Sequence, residues 1–416
     1  MNNNWTKKEA PFLGLTGMGG GVASLMWAGA AEVGNTIWLA GRNTGGQLGQ
    51  NQAPAQSAGR SSPTQLGDVT DWISFRNVNY NYNMGIRGVN GSADDTNGTL
   101  WTFGDQGSWG ELGQNNLTAY SSPTQVGTDS TWAKLSAGSN SAATKSDGTL
   151  WMWGHNANGS LGDNSNIPRS SPIQVGTDTT WDADKLSVTS ATTLTIKTDG
   201  TLWGWGKNQY GKFKLSWSWS DYRYSSPVQV GTDTNWKQVT GGQNMQAAIK
   251  TNGTLWTWGA NGNGSLGHNA TTGSARSSPT QIPGTNWAKV QMLSTAYAYG
   301  VAATKTDGTM WVWGRNVMGS LGLNEGGYAP YYSSPTQLGT DNTWHPTNWR
   351  GGYQAEGAVQ AMKTDGTMWA WGENSYGSLG QNDTIPQSSP VQITGAWAWW
   401  DGGYEAATFV GSKAKE

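Results

Sequence analysis

A tryptophan-bearing strand recurs seven times along this chain, and that periodicity limits the fold more than any other feature. Its copies centre on Trp38, Trp101 with Phe103, Trp151 with Trp153, Trp203 with Trp205, Trp256 with Trp258, Trp311 with Trp313, and Trp369 with Trp371, in strings such as GTLWMWG. Successive first tryptophans stand 63, 50, 52, 53, 55 and 58 residues apart. A second marker, Ser-Ser-Pro-x-Gln, starts at Ser61, Ser121, Ser170, Ser225, Ser277, Ser333 and Ser388 and gives the same count. Most units also hold a Gly-rich turn of the form N-x-x-G-x-L-G, as at Asn156 to Gly162 and Asn374 to Gly380. Self-similarity at such a period points to a solenoid, a propeller or an array.

Each part of the unit has a local cause. Asp147-Gly148, Asp199-Gly200, Asn252-Gly253, Asp307-Gly308 and Asp365-Gly366 separate two strand-like runs, and such dipeptides favour the positive φ of tight hairpins. Alternation in LWMWG puts Trp151 and Trp153 on one face and Leu150 and Met152 on the other. Both faces are apolar, so the strand has to be covered on both sides. The proline of Ser-Ser-Pro has no N–H to give a ladder, which suits a strand start or an edge strand. A unit of roughly 50 residues with a few short strands cannot bury two faces alone. Radial closure supplies a neighbour on each side and leaves only short edges.

The expected fold is therefore all-β, a seven-bladed β-propeller of four-stranded blades. Residues 396–416, with Trp397, Trp399, Trp400 and GGYEAATFVG, read as a half-repeat that closes the ring. The N-terminal GGGVASLMWAG competes for that place. The expected organisation is a Gly-rich docking segment over 1–20, the propeller over 21–395 and the closing half-repeat over 396–416.

The strings WMWGHNANGSLG, WTWGANGNGSLG and WVWGRNVMGSLG resemble the repeat of the regulator-of-chromosome-condensation propeller family, in register from Thr36 to Gly395. That resemblance implies a seven-bladed propeller of four-stranded blades. Members of the family include a nucleotide-exchange factor for a small GTPase, a plant ultraviolet photoreceptor and a secreted bacterial β-lactamase inhibitor, so the fold alone does not give the function. This sequence shows no insertion serving as the GTPase-facing wedge and no evident match to the photoreceptor's arrangement of Trp with Arg.

Composition narrows the partners. The formal charge is −2 and only 12% of residues are charged, so no basic field exists to hold phosphate backbones or an anionic membrane. With no Cys, disulfide scaffolds, thiolate metal sites and Cys nucleophiles are excluded. Lys7 and Lys8 before APFLGLTGMGGG imitate a signal peptide, but Gly at 14, 17, 19, 20 and 21 makes a poor helical segment. No signal peptide is expected, and no run reaches the roughly 18 apolar residues of a spanning helix.

Catalytic constellations are thin. His155, His268 and His345 stand in unrelated contexts, none with a partner at metal-ligand spacing. Asp178, Asp182 and Asp184 lie close together but lack the full spacing of a calcium loop. No catalytic residue, metal or cofactor is expected.

The informative positions are those where the unit stops copying itself. The fourth repeat replaces its small polar connection with GKFKLSWSWSDYRYSSP, bringing in Trp217, Trp219, Tyr222 and Tyr224; the sixth adds Tyr328, Tyr331 and Tyr332. These aromatics either cover the rim of their own blade, anchor a protein or stack on a glycan. Tyr80, Tyr82, Tyr297, Tyr299 and Tyr353 fall near one mouth of the ring, as packing or as a pocket. Trp5, Pro11, Phe12 and Leu13 mark the N-terminal docking segment.

Two functional classes follow. One is a non-enzymatic virion component of a tailed bacteriophage, a tail fibre, knob or decoration protein, supported by similarity of the opening Trp5-Thr6-Lys7 stretch to marine phage structural proteins. Its partners would be other virion proteins, further copies of itself and a host-surface glycan or receptor, with no nucleic acid and no membrane insertion. The other is a free protein-binding propeller, such as an enzyme inhibitor, or a lectin.

Overall fold

Hairpin follows hairpin, and each repeat becomes one antiparallel sheet with strands in chain order. In the fifth these are Trp236–Gly241, Met245–Lys250, Leu255–Gly259 and Arg276–Gln281. The computed structural model describes residues 25–393 apart from short internal stretches, the longest being 52–59, 214–222, 294–299 and 352–357. Within them the strands form seven blade units. The second and third are joined into one eight-stranded sheet through the single pair Gly98↔Trp132. In the fourth blade the short 3-10 turn Ala183–Lys185 interrupts the first strand, leaving Ser187–Val188 and an isolated bridge from Trp181 to Lys197. The first blade has three described strands, Leu25–Ala30, Asn35–Gly41 and Arg60–Gln65.

The N-terminal strand pairs Trp27 with Trp38 and so takes the place beside the tryptophan strand of the first blade. The closing half-repeat over 396–416 and the docking segment over 1–20 lie outside the described residues.

The core sits between blades, as the two-faced strands require. Leu255 packs with Trp287, Val290 and Trp313 of the sixth blade, whereas Trp258, three residues later, packs with Leu194, Leu202 and Phe213 of the fourth. One strand thus feeds two cores.

Glycine spacing is explained at the turns. The first glycine of G-x-L-G takes a left-handed φ, +73° at Gly159 and +77° at Gly319. A Cβ there would lie 2.9 Å and 2.6 Å from the Cα of Ser225 and Ser388. Each such turn therefore lies against the Ser-Ser-Pro strand of the following blade, closer than a side chain allows. The asparagine two residues past the motif adds a bond: the amides of Asn115, Asn164, Asn269 and Asn324 donate at 2.7 Å to Ser170, Ser225, Ser333 and Ser388 carbonyls.

Candidate functional site

Antiparallel order gives every blade two ends with different chemistry. The hairpin end carries the second-to-third-strand turns and the links between blades. The turn end carries the first-to-second and third-to-fourth connections, including the Gly-rich turn.

At the hairpin end the D-G-T-L-W string closes on itself. Asp147 Oδ1 accepts from the Thr149 amide at 2.9 Å and hydroxyl at 2.7 Å, and that hydroxyl accepts from Trp151 Nε1 at 2.9 Å. The same chain of bonds recurs at Asp199, Asn252, Asp307 and Asp365. Above it a cation is held between two indoles. Lys145 Nζ lies 5.0 Å from the Trp132 ring and 3.8 Å from Trp151, and reaches Asp129 at 2.6 Å. Lys197, Lys250, Lys305 and Lys363 repeat this between their own tryptophan pairs, and Arg87 does so between Trp72 and Trp101. A desolvated cation over an indole contributes about 1–2 kcal/mol, so six such clamps are structural.

The carboxylates of the clamps are tuned accordingly. Burial pushes Asp178 upward, but Lys197 and the hydroxyl and amide of Thr180 outweigh it and hold it at about 2. Asp341, likewise opposed by burial, is held at about 2 by Lys363 and Thr343. The three aspartates weighed for calcium are taken by separate cations: Asp178 by Lys197, Asp182 by Lys185 at 3.4 Å, and Asp184 by Lys134. Among the described residues no group of three or more His, Asp or Glu is placed to hold a metal. None of their helices is long and apolar enough to cross a membrane.

The turn end is different. Of the six exposed large apolar side chains among the described residues, Trp109, Leu117, Ile167, Tyr331 and Ile385 lie there, and only Val89 lies at the hairpin end. Leu117, Ile167 and Ile385 precede the Ser-Ser-Pro strands of their blades, and Tyr331 opens that strand in the sixth. Trp109 stands in the Gly-rich turn of the second blade. Its ring makes a T-shaped contact with His155, ring centroids 5.0 Å apart, and its backbone N–H donates to Glu111 Oε2 at 3.1 Å.

The aromatics singled out from the sequence divide. Tyr224 is half-buried and packs against cores on both sides of the fourth blade. Tyr332 is half-buried too and donates to Glu325 Oε2 at 2.7 Å, which, with burial, pushes its phenol up to about 12. Tyr331 is exposed. Tyr82 is buried and hydrogen-bonds Ser141 Oγ of the next blade at 2.8 Å, a packing role. Trp217, Trp219, Tyr222, Tyr328, Tyr80, Tyr297, Tyr299 and Tyr353 lie outside the described residues, as do Trp5, Pro11, Phe12 and Leu13. Sequence reasoning missed Trp109 because GSWGELG passes for one more turn. It also missed the clamp lysines, although Lys-Ser/Thr-Asp/Asn-Gly repeats five times in the sequence.

Comparison with known proteins agrees with this geometry. The model of the regulator of chromosome condensation (RCC1) repeat matches residues 252–302 and 365–397. The ultraviolet-B receptor UVR8 of Arabidopsis thaliana is 25% identical over 202 residues, 48% of this chain and 43% of that protein. The E3 ubiquitin-protein ligase HERC2 of Homo sapiens is 30% identical over 132 residues, 32% of this chain and 3% of that protein. The chain thus spans less than half the length of these curated relatives. Among solved structures, Prp20p of Saccharomyces cerevisiae superposes with a TM-score of 0.67 at 18% identity, covering 95% of this chain and 90% of that one. Human WBSCR16 gives 0.66 at 17%, covering 87% and 95%. The chain carries the RCC1 repeat and folds as an RCC1-like β-propeller. Such propellers typically serve as binding domains rather than catalysts.

Proposed function

We propose that this chain is a non-catalytic scaffold that binds protein partners at the turn end of its blades. The observation that carries the reading is the segregation of exposed apolar side chains: Trp109, Leu117, Ile167, Tyr331 and Ile385 share one end, while the other is occupied by internally satisfied charges. Apolar residues grouped on one face of a propeller mark an interaction surface better than scattered ones do. Aromatic side chains among them are the usual anchors.

The test is affinity capture from the source organism by the immobilised chain, followed by titration with the purified captured protein. A variant with Leu117→Ser, Ile167→Ser, Tyr331→Ser and Ile385→Ser is expected to bind at least ~10-fold more weakly, and Val89→Ser is expected to bind as the parent does. Equal binding by the fourfold variant overturns the reading. The particle-borne form of this function puts the chain on a tailed-phage virion with residues 1–20 as its docking segment, and its support is the likeness of the opening stretch to phage proteins. Deleting residues 1–20 tests that form, and unchanged assembly overturns it.

A further inference from the structure

The turn of the second blade gathers acceptors that no cation meets among the described residues. Asp105 Oδ1 accepts the Gly107 amide at 3.2 Å, and Glu111 Oε2 accepts the Trp109 amide at 3.1 Å. Neither carboxylate has an ion pair among the described residues. Burial, reinforced by the neighbouring Asp105, pushes the Glu111 carboxyl above its usual range. Beside it, the fully buried Asn140 gives its Nδ2 to Ser160 Oγ at 3.0 Å and leaves Oδ1 without a donor. Asn140 Oδ1 and Glu111 Cγ converge on Gly154, each within 3.3 Å of where its Cβ would stand. In the same turn Trp109 remains 45% exposed, with its backbone N–H on Glu111 and its ring in T-shaped contact with His155.

The rest of the molecule shows what such a set of groups takes. At the hairpin end, indoles hold a lysine or arginine in six blades, and in five of them a carboxylate, Asp71, Asp129, Asp178, Asp233 or Asp341, completes the clamp. At Trp109 the indole and the acids are present, and neither acid is ion-paired among the described residues. We propose that Trp109, Glu111 and Asp105 form a receptor for an arginine side chain of a partner protein, an inference that rests on the protein-binding reading and names the chemistry of one contact within it. A guanidinium lies flat on an exposed indole and brings five N–H donors to a site rich in acceptors, whereas an ammonium has three donors and no plane. Its charge also relieves the cost of the buried Glu111 carboxylate, which is only 8% exposed.

The full chain, labelled with ¹⁵N at indole, is titrated with N-acetyl-arginine amide, N-acetyl-lysine amide and N-acetyl-citrulline amide. The Trp109 Nε1–H signal, assigned through Trp109→Phe, is followed. The arginine probe is expected to shift it saturably, the lysine probe with roughly fivefold weaker affinity and citrulline not at all. Glu111→Gln is expected to weaken arginine binding at least ~10-fold while the other indole signals stay in place. If that variant fails to fold, Asp105→Asn replaces it, and arginine affinity in the parent chain must rise as pH rises through the titration of Glu111. Equal shifts from arginine and citrulline, or an affinity indifferent to both substitutions and to pH, overturn the proposal. Loss of arginine binding with partner capture intact overturns this contact alone. Capture lost in the fourfold apolar variant with arginine binding retained leaves both standing.

Discussion

Asp178 and Asp341 make the hairpin end sensitive to acid. Their carboxyls titrate near 2 in the fold against an ordinary 3.8. A depressed carboxyl stabilises the fold fully above its unfolded value, and that contribution is lost as pH falls toward the folded one. The paired variant Asp178→Asn, Asp341→Asn is therefore expected to be less stable than the parent at pH 7, by about 1 kcal/mol per site once screening of a one-third-exposed carboxylate is allowed for. The gap should close between about pH 4 and pH 2, measured by urea unfolding at each pH. A constant gap across that window contradicts the assignment. Lys212 acts in the opposite sense. It is fully buried where other blades place Gln47, Glu111, Ser160, Ser265 or Ser320, and burial, with Lys207 nearby, pulls it down to about 7. The unfolded chain then holds the extra proton from about 7 to 10.5, so stability rises with pH across that range. Lys212→Ser is expected to flatten this rise, read as Tm against pH, and an unchanged slope refutes it. None of these partners was visible in the sequence. Asp178 read as one member of an acid cluster because the cation that takes it, Lys197, belongs to the next hairpin turn.

The elements were far more legible than their contacts. Strand count, hairpin turns and the two-faced tryptophan strand all followed from period-two alternation and Asp-Gly spacing, which are local. What binds one blade to the next is a non-local bond that the motif conceals. The second tryptophan of each strand donates Nε1 to the turn carbonyl of the preceding blade: Trp153 to Glu111, Trp205 to Ser160, Trp258 to Lys212 and Trp313 to Ser265, all at 2.7–2.8 Å. In the second blade Phe103 has no such donor, and Asn83 Nδ2 takes over, reaching the Gln47 carbonyl at 2.6 Å. The irregular fourth turn also keeps its frame, since Phe213 replaces leucine and its amide still donates to Asn208 Oδ1 at 2.8 Å. These bonds predict unequal responses to one substitution. Ser141 Oγ also donates to the Glu111 carbonyl at 2.8 Å, so Trp153→Phe leaves that carbonyl satisfied. Opposite Trp313 stands Val301, which has no polar atom to offer. Both variants lose similar volume, and Trp313→Phe is expected to cost about 1–2 kcal/mol more for its orphaned carbonyl. Equal losses in urea unfolding remove this bond from the account of blade pairing.

Across the whole molecule, folding and binding draw on different leucines and isoleucines of the same connections. Leu112, Leu161 and Leu379 of the Gly-rich turns are fully buried, and the amides of the last two donate to Asn156 and Asn374 Oδ1 at 2.9 and 3.0 Å. A few residues further on, Leu117, Ile167 and Ile385 are exposed. The sequence shows two apolar residues in one loop without telling them apart, because the difference lies in which one meets the next blade. Truncating a buried leucine loses transfer free energy and leaves a cavity, about 2–5 kcal/mol at each site. Truncating an exposed one removes little that folding had hidden from water, and surface changes of this kind stay within about 0.5 kcal/mol. The triple variant Leu117→Ser, Ile167→Ser, Ile385→Ser is therefore expected to melt within about 2 °C of the parent while losing partner binding, whereas Leu161→Ala alone lowers Tm by roughly 4 °C or more. Calorimetry on the two proteins measures both halves of the claim. A triple variant that melts as low as Leu161→Ala shows these side chains covering the fold itself, and the turn end then ceases to be a free surface.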